Sequence, residues 1–175
     1  MVGFIVNLFL VIPGLPLMIV IAAYLQNGGI LMIIAVIVVT GWAWGARVLR
    51  SQTQSLRGND FVTSAQFSGD SRARIVFREI LPNMTSIIAG TLFGAATAAI
   101  LAEAGLEFLG LGDSSIVSWG TMLYWAQNSN SLLTGQWLLL FAPGLCIALL
   151  ALSLTLINFG AVSYTHLRAH ETRGN

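Results

Sequence analysis

Ile30-Leu-Met-Ile-Ile-Ala-Val-Ile-Val-Val-Thr-Gly-Trp-Ala-Trp-Gly-Ala-Arg-Val48 decides the fold. The run approaches the ~20 apolar residues that a helix needs to cross a bilayer. Three more stretches share its character: about Gly3 to Leu25, Met84 to Leu106 and Gln136 to Phe159. Composition agrees, since 56% of the 175 residues are hydrophobic and only 9% are charged. Soluble domains carry about 25% charged residues, and a water-facing surface cannot be covered with so few. Lipid removes that conflict. In lipid every backbone polar group must be satisfied internally, which a helix does. The expected class is all-α, a polytopic helical membrane protein with about four spans.

Composition also excludes several functions. A net charge of +1 gives no electrostatic footprint for a nucleic acid. A single cysteine, Cys146, rules out an internal disulfide framework. The first residues lack a basic region and a small-residue cleavage site, so no cleavable signal peptide is expected. The last stretch, Val162-Ser-Tyr-Thr-His-Leu-Arg-Ala-His-Glu-Thr172, departs abruptly in composition. It resembles the conceptual translation of a transposase adapter used in sequencing libraries; a native polar tail is the alternative. Residues 162–175 are therefore set apart as a non-native tail, and the genuine sequence is expected to end near Gly160 or Ala161. Both histidines, His166 and His170, fall in that tail, so no metal site is expected. The rest of the chain has six arginines, six acids, no lysine and no histidine.

Those six arginines, Arg47, Arg50, Arg57, Arg72, Arg74 and Arg78, all lie in or beside the polar segment Arg50–Asn83. An arginine at the bilayer centre costs about 2.5–3.5 kcal/mol, and arginine-rich loops stay cytoplasmic. Alternation then puts both ends of the chain in the cytoplasm, and the Gln26–Gly29 turn and the Glu107–Gly135 loop outside. Trp119, Trp125 and Trp137 lie in or beside that external loop, as an interfacial belt does; substrate stacking is the competing reading. Pro13 and Pro16 kink or split the first span. Gly41 with Gly45, and Gly90 with Gly94, set small residues at helix-contact spacing. Glu103 is an ionisable group near the outer end of the third span. It is a candidate for the substrate path, with contact to interfacial water as the alternative.

The polar segment has internal order. Asp60 is expected to cap a short helix, Phe61-Val-Thr-Ser-Ala-Gln-Phe67, with Gly69 as its stop. Asp70 or Ser71 then caps a second helix. That helix carries Ala73, Val76, Phe77 and Ile80 on one apolar face, and Pro82 ends it. Apolar groups framed by charge point to a docking surface, against the plainer reading of a solvated connection.

The stretch Asp60-Phe-Val-Thr-Ser-Ala-Gln-Phe-Ser-Gly69 followed by Arg74-Ile-Val-Phe-Arg-Glu-Ile-Leu-Pro-Asn83 resembles the EAA loop of ABC importer permeases. The family pattern is Glu-Ala-Ala, three residues, Gly, nine residues, a usually apolar residue, one residue, then Leu-Pro. Thr63, Ser64 and Ala65 occupy the Glu-Ala-Ala positions, and Gly69, Leu81 and Pro82 match. Thr63 and Ser64 depart from the pattern, as does Glu79 at the apolar position. With Asp60 as cap, a glutamate at position 63 would close a capping box, which Thr63 forgoes. Five further segments resemble the dipeptide/oligopeptide/nickel branch: Ile12–Leu15, Gly41-Trp42 with Arg47 and Arg50, Ile100–Gly112, Ser118–Met122 and Pro143–Leu145.

The resemblance implies a type I ABC importer permease-like bundle in a bacterial or archaeal plasma membrane, truncated here at both ends. It implies that Asp60, Phe61, Thr63, Ser64, Ala65, Phe67, Gly69, Arg74, Phe77, Leu81 and Pro82 couple the bundle to a separate ATPase. The implied partners are ABC ATPase subunits, a second permease subunit and an extracytoplasmic substrate-binding protein. ATP and magnesium would sit on the ATPase, because the chain has no G-x-x-x-x-G-K-[ST] loop of its own; it is not expected to be an enzyme or to bind a cofactor. A fragment of an ion-coupled secondary transporter or channel is the alternative function.

Overall fold

The computed structural model describes residues 2–25 and 29–171, with side chains for 3–25 and 29–160. Met1, the side chain of Val2, residues 26–28 of the Gln26–Gly29 turn, the side chains of 161–171 and all of 172–175 lie outside that description. Every element among the described residues is helical. Helices α1 (Val2–Val11) and α2 (Gly14–Tyr24) meet at 86°. Pro13 stands at the N-cap of α2 and Pro16 in its first turn, where backbone N–H groups lack intrahelical acceptors anyway. The two prolines thus split the first apolar stretch, and each half is too short to cross alone.

Helix α3 runs unbroken over Gly29–Leu56. This corrects the expectation of a loop starting at Arg50. Ser51-Gln-Thr-Gln54 is polar but contains no helix breaker, and the next glycine after Gly45 is Gly58. At 1.5 Å per residue α3 is about 42 Å long, so its last turns stand clear of the ~30 Å hydrocarbon layer. A hairpin of short elements follows: α4 (Asp60–Phe67), α5 (Arg72–Arg74), a π-helical turn (Ile75–Ile80) and α6 (Leu81–Asn83). Helix α7 covers Thr85–Phe108, and α9 covers Leu138–Glu171 with its apolar span over Leu138–Gly160. Between them, in the segment expected to be a loop, lies a further helix, α8 (Trp119–Asn128).

Helix α3 contacts α1, α2 and α7, and α7 contacts α8 and α9. Ala22, Met32, Ile33, Val36 and Leu106 form the buried core where α2, α3 and α7 converge. Phe9 meets Trp42 edge-on at 5.5 Å and ties α1 to α3. Gly94 faces the Trp44 ring across α3 and α7, whereas Gly41 and Gly45 have nothing within 4 Å of where a Cβ would stand. A methyl group at either position of the first small-residue pair would therefore meet open space among the described residues.

Candidate functional site

The hairpin at the arginine-bearing end begins on Asn59. The Val62 and Thr63 backbone N–H groups donate to the Asn59 carbonyl at 3.1 and 3.2 Å. Asn59, and not Asp60, is the N-cap. Asp60 becomes the first helical residue, where its carboxylate favours the positive end of the helix dipole. The expected capping-box register falls with this correction. The Thr63 hydroxyl donates back to the Asn59 carbonyl at 3.3 Å.

Helix α4 ends in a Schellman turn. Gly69 N–H donates to the Gln66 carbonyl and Asp70 N–H to the Ala65 carbonyl, both at 3.1 Å. Gly69 takes φ +81°, a left-handed conformation that L side chains resist. The Ser71 hydroxyl accepts from Arg74 N–H at 3.3 Å and caps the return limb. Asp70 pairs with Arg74 at 2.8 Å, largely in solvent.

The return limb overturns the expected apolar face. Ile75 and Ile80 are buried, while Val76 and Phe77 are 43% and 68% exposed. A π turn places residues i and i+5 on one side, so the α-helical spacing of Ala73, Val76, Phe77 and Ile80 does not apply. Ile75, Ile80, Val62 and Met84 make a small core, against which Leu49, Leu56, Phe61, Ala65 and Ile88 pack. The Thr53 hydroxyl also donates to Met84 Sδ at 3.4 Å. The hairpin is thereby fixed to the end of α3 and the start of α7.

The residues singled out from the sequence divide accordingly. Phe61 and Ala65 face this core. Phe67, 89% exposed, projects outward, as do Phe77, Leu81, Pro82, Asp60, Ser64 and Arg74. Ile80 keeps the buried place that the expected apolar face gave it, whereas Val62, Ile75 and Met84, which hold the hairpin with it, were not singled out, because their grouping depends on the π turn and on contacts across the hairpin.

The opposite end contains a network the sequence did not disclose. Glu107, at the end of α7, is 4% exposed and accepts a hydrogen bond from the Ser118 hydroxyl. The Ser118 hydroxyl also accepts from Thr121 N–H at 3.1 Å, and the Thr121 hydroxyl accepts from Ser118 N–H at 2.9 Å. This reciprocal capping box starts α8 and docks it on α7. The available signal was a carboxylate within Glu107-Phe-Leu-Gly-Leu-Gly112 and a helix start at Ser118-Trp-Gly-Thr121. Half-buried Glu103 lies one turn earlier on α7 and lines a cavity of about 340 Å³ with Trp119, Met122 and Ile147. The Trp125 indole donates to the Ser114 carbonyl at 3.2 Å.

Residues 1–165 match the family described as the binding-protein-dependent transport system inner membrane component. The chain belongs to that family. The resemblance read from Asp60–Asn83 is borne out, as is the helical, multi-pass membrane class. Among curated relatives, this family member is 38% identical over 122 residues to the oligopeptide transport system permease protein OppC of Salmonella typhimurium, covering 69% of this chain and 40% of that protein. It is 32% identical over 148 residues to OppC of Mycobacterium tuberculosis, covering 83% and 50%. It is 34% identical over 142 residues to the dipeptide transport system permease protein DppC of Bacillus subtilis, covering 79% and 44%. The chain thus spans half or less of the length of these relatives.

Proposed function

We propose that this chain is part of the permease subunit of an ATP-driven peptide importer, and that the hairpin of residues 60–83 couples ATPase motion to the spans. The observation that carries the reading is the division of the hairpin. A buried core fixes it to α3 and α7, yet Phe67, Phe77 and Leu81 are turned to the outside. Exposed aromatics on a rigid mount suit insertion into a groove on another protein. Both α3 and α7 continue from the mount into the bilayer, so force on the hairpin passes to the spans.

In this reading the hairpin is cytoplasmic and the Glu107–Gly135 end faces the binding protein. ATP and magnesium sit on the ATPase, and a second permease subunit completes the pathway in a bacterial plasma membrane. Peptides are the substrate class because the relatives are named for oligopeptide and dipeptide transport. Glu103 contributes a carboxylate beside the substrate path.

The test is peptide uptake into vesicles holding the assembled transporter that contains this sequence. Uptake should require ATP, the ATPase and the binding protein. Uptake driven by an ion gradient alone would overturn the reading.

A further inference from the structure

We propose that the cleft between α1 and α3 at the arginine-bearing end is a headgroup site for an anionic phospholipid. The cleft holds about 530 Å³. Arg47, Arg50, Ser51 and Gln54 supply one wall, at the i, i+3, i+4, i+7 spacing of a single α3 face. Asn7 of α1 stands opposite, and Phe4 adds an apolar edge. No carboxylate lines the cleft. Among the described residues the ion pair found is Arg74–Asp70, which leaves both cleft arginines free of an acid partner. The Arg50 guanidinium fills the space that a Cβ at Gly3 would need, so the absent side chain lets the charge seat against α1.

The chemistry is that of a phosphate diester. Two guanidinium forks, a hydroxyl and two side-chain amides converge as donors, and arginine binds phosphate oxygens in bidentate fashion. The position favours a lipid over a soluble anion. Arg47 is the first charge after the uncharged run that begins at Ile30, so the cleft stands where hydrocarbon gives way to headgroups. Beside it α1 turns Phe4, Ile5 and Leu8 outward, 73%, 45% and 51% exposed, as a surface for acyl chains. Basic pockets between spans bind anionic headgroups by this combination.

The experiment uses the purified permease containing this chain, with lipid retention read by native mass spectrometry and thermal unfolding in detergent. Three probes are compared: phosphatidylglycerol, phosphatidylcholine and inorganic phosphate. Phosphatidylglycerol should be retained and should raise the unfolding temperature, with the other two doing neither. Arg47→Gln and Arg50→Gln should each weaken phosphatidylglycerol binding about fivefold, and the pair about 25-fold. Arg47→Lys with Arg50→Lys, which keeps the charge but loses the bidentate fork, should bind phosphatidylglycerol between the wild type and the double glutamine variant, and Arg78→Gln on the hairpin should change nothing. Equal retention of phosphatidylcholine, or binding undiminished in the double glutamine variant, would overturn the site. Equal protection by inorganic phosphate would overturn the lipid assignment. None of these outcomes bears on ATP-dependent uptake, which is tested separately.

Discussion

Gly120 shows how little room the join between α7 and α8 leaves. A Cβ there would stand 2.9 Å from the Ala104 carbonyl oxygen and 2.7 Å from Glu107 Cβ. The backbone oxygen cannot move without shifting α7, so Gly120→Ala should lower stability by about 1–3 kcal/mol, measured as thermal unfolding in detergent. Gly45→Ala, at a site with open space, should cause no such loss. Gly69→Ala forces a left-handed φ on an L residue and should cost about 1–2 kcal/mol. Asp113 is a different case, being exposed. The Ser115 hydroxyl and, second, its backbone N–H donate to the Asp113 carboxylate at 2.6 and 3.0 Å and hold its carboxyl below the usual aspartate range. A carboxyl lowered in the folded state contributes stability above its unfolded value, which is lost as pH falls through the folded one. Ser115→Ala should therefore move the Asp113 titration upward, as followed by NMR.

At the scale of elements, the hairpin separates residues that hold from residues that present. Ile80 is 4% exposed and stacks in the small core through the π turn. Ile80→Ala should cost about 2–5 kcal/mol and should show as faster proteolysis within residues 60–83. Phe67→Ala removes a side chain that is 89% exposed and should leave stability within about 0.5 kcal/mol. The same change should weaken capture of the ATPase in a pull-down. Unchanged capture by the Phe67→Ala and Phe77→Ala pair would remove the hairpin from the coupling role. The overrun of α3 to Leu56 belongs to this scale too, since it provides Thr53 and Leu56 as the shelf on which the hairpin rests.

The molecule as a whole presents apolar surface outward. None of the apolar window of α7 is buried within the chain, and 11% of that of α9 is. Lipid and a second permease subunit are the two coverings that the transport reading supplies. In vesicles carrying the complete transporter, an ionophore that collapses ion gradients should leave peptide uptake unchanged, and ATP depletion should abolish it. The α1–α2 break of 86° leaves the first apolar stretch too bent to count as a straight span, so the described residues offer three helices long and apolar enough to cross a membrane, and four when the bent pair is counted as one span.

Solvent and class were legible in the sequence. Charge scarcity and runs of about 20 apolar residues leave lipid-spanning helices as the stable solution, and six arginines in one segment mark one end of the bundle. The glycine stop at Gly69 and a cap at Asp70 or Ser71 were legible for the same local reason, because turn and cap chemistry acts between near neighbours, and the structure selects Ser71. The contacts that build the two ends were not. Ile75 replaced Phe77 in the hairpin core because a π turn changes the period, and no residue type announces such a turn. Glu107 became buried only because Ser118, eleven residues on, returns to meet it beside Gly120. What the chain is made to dissolve in follows from composition; which side chains face a partner follows from packing between segments distant in sequence.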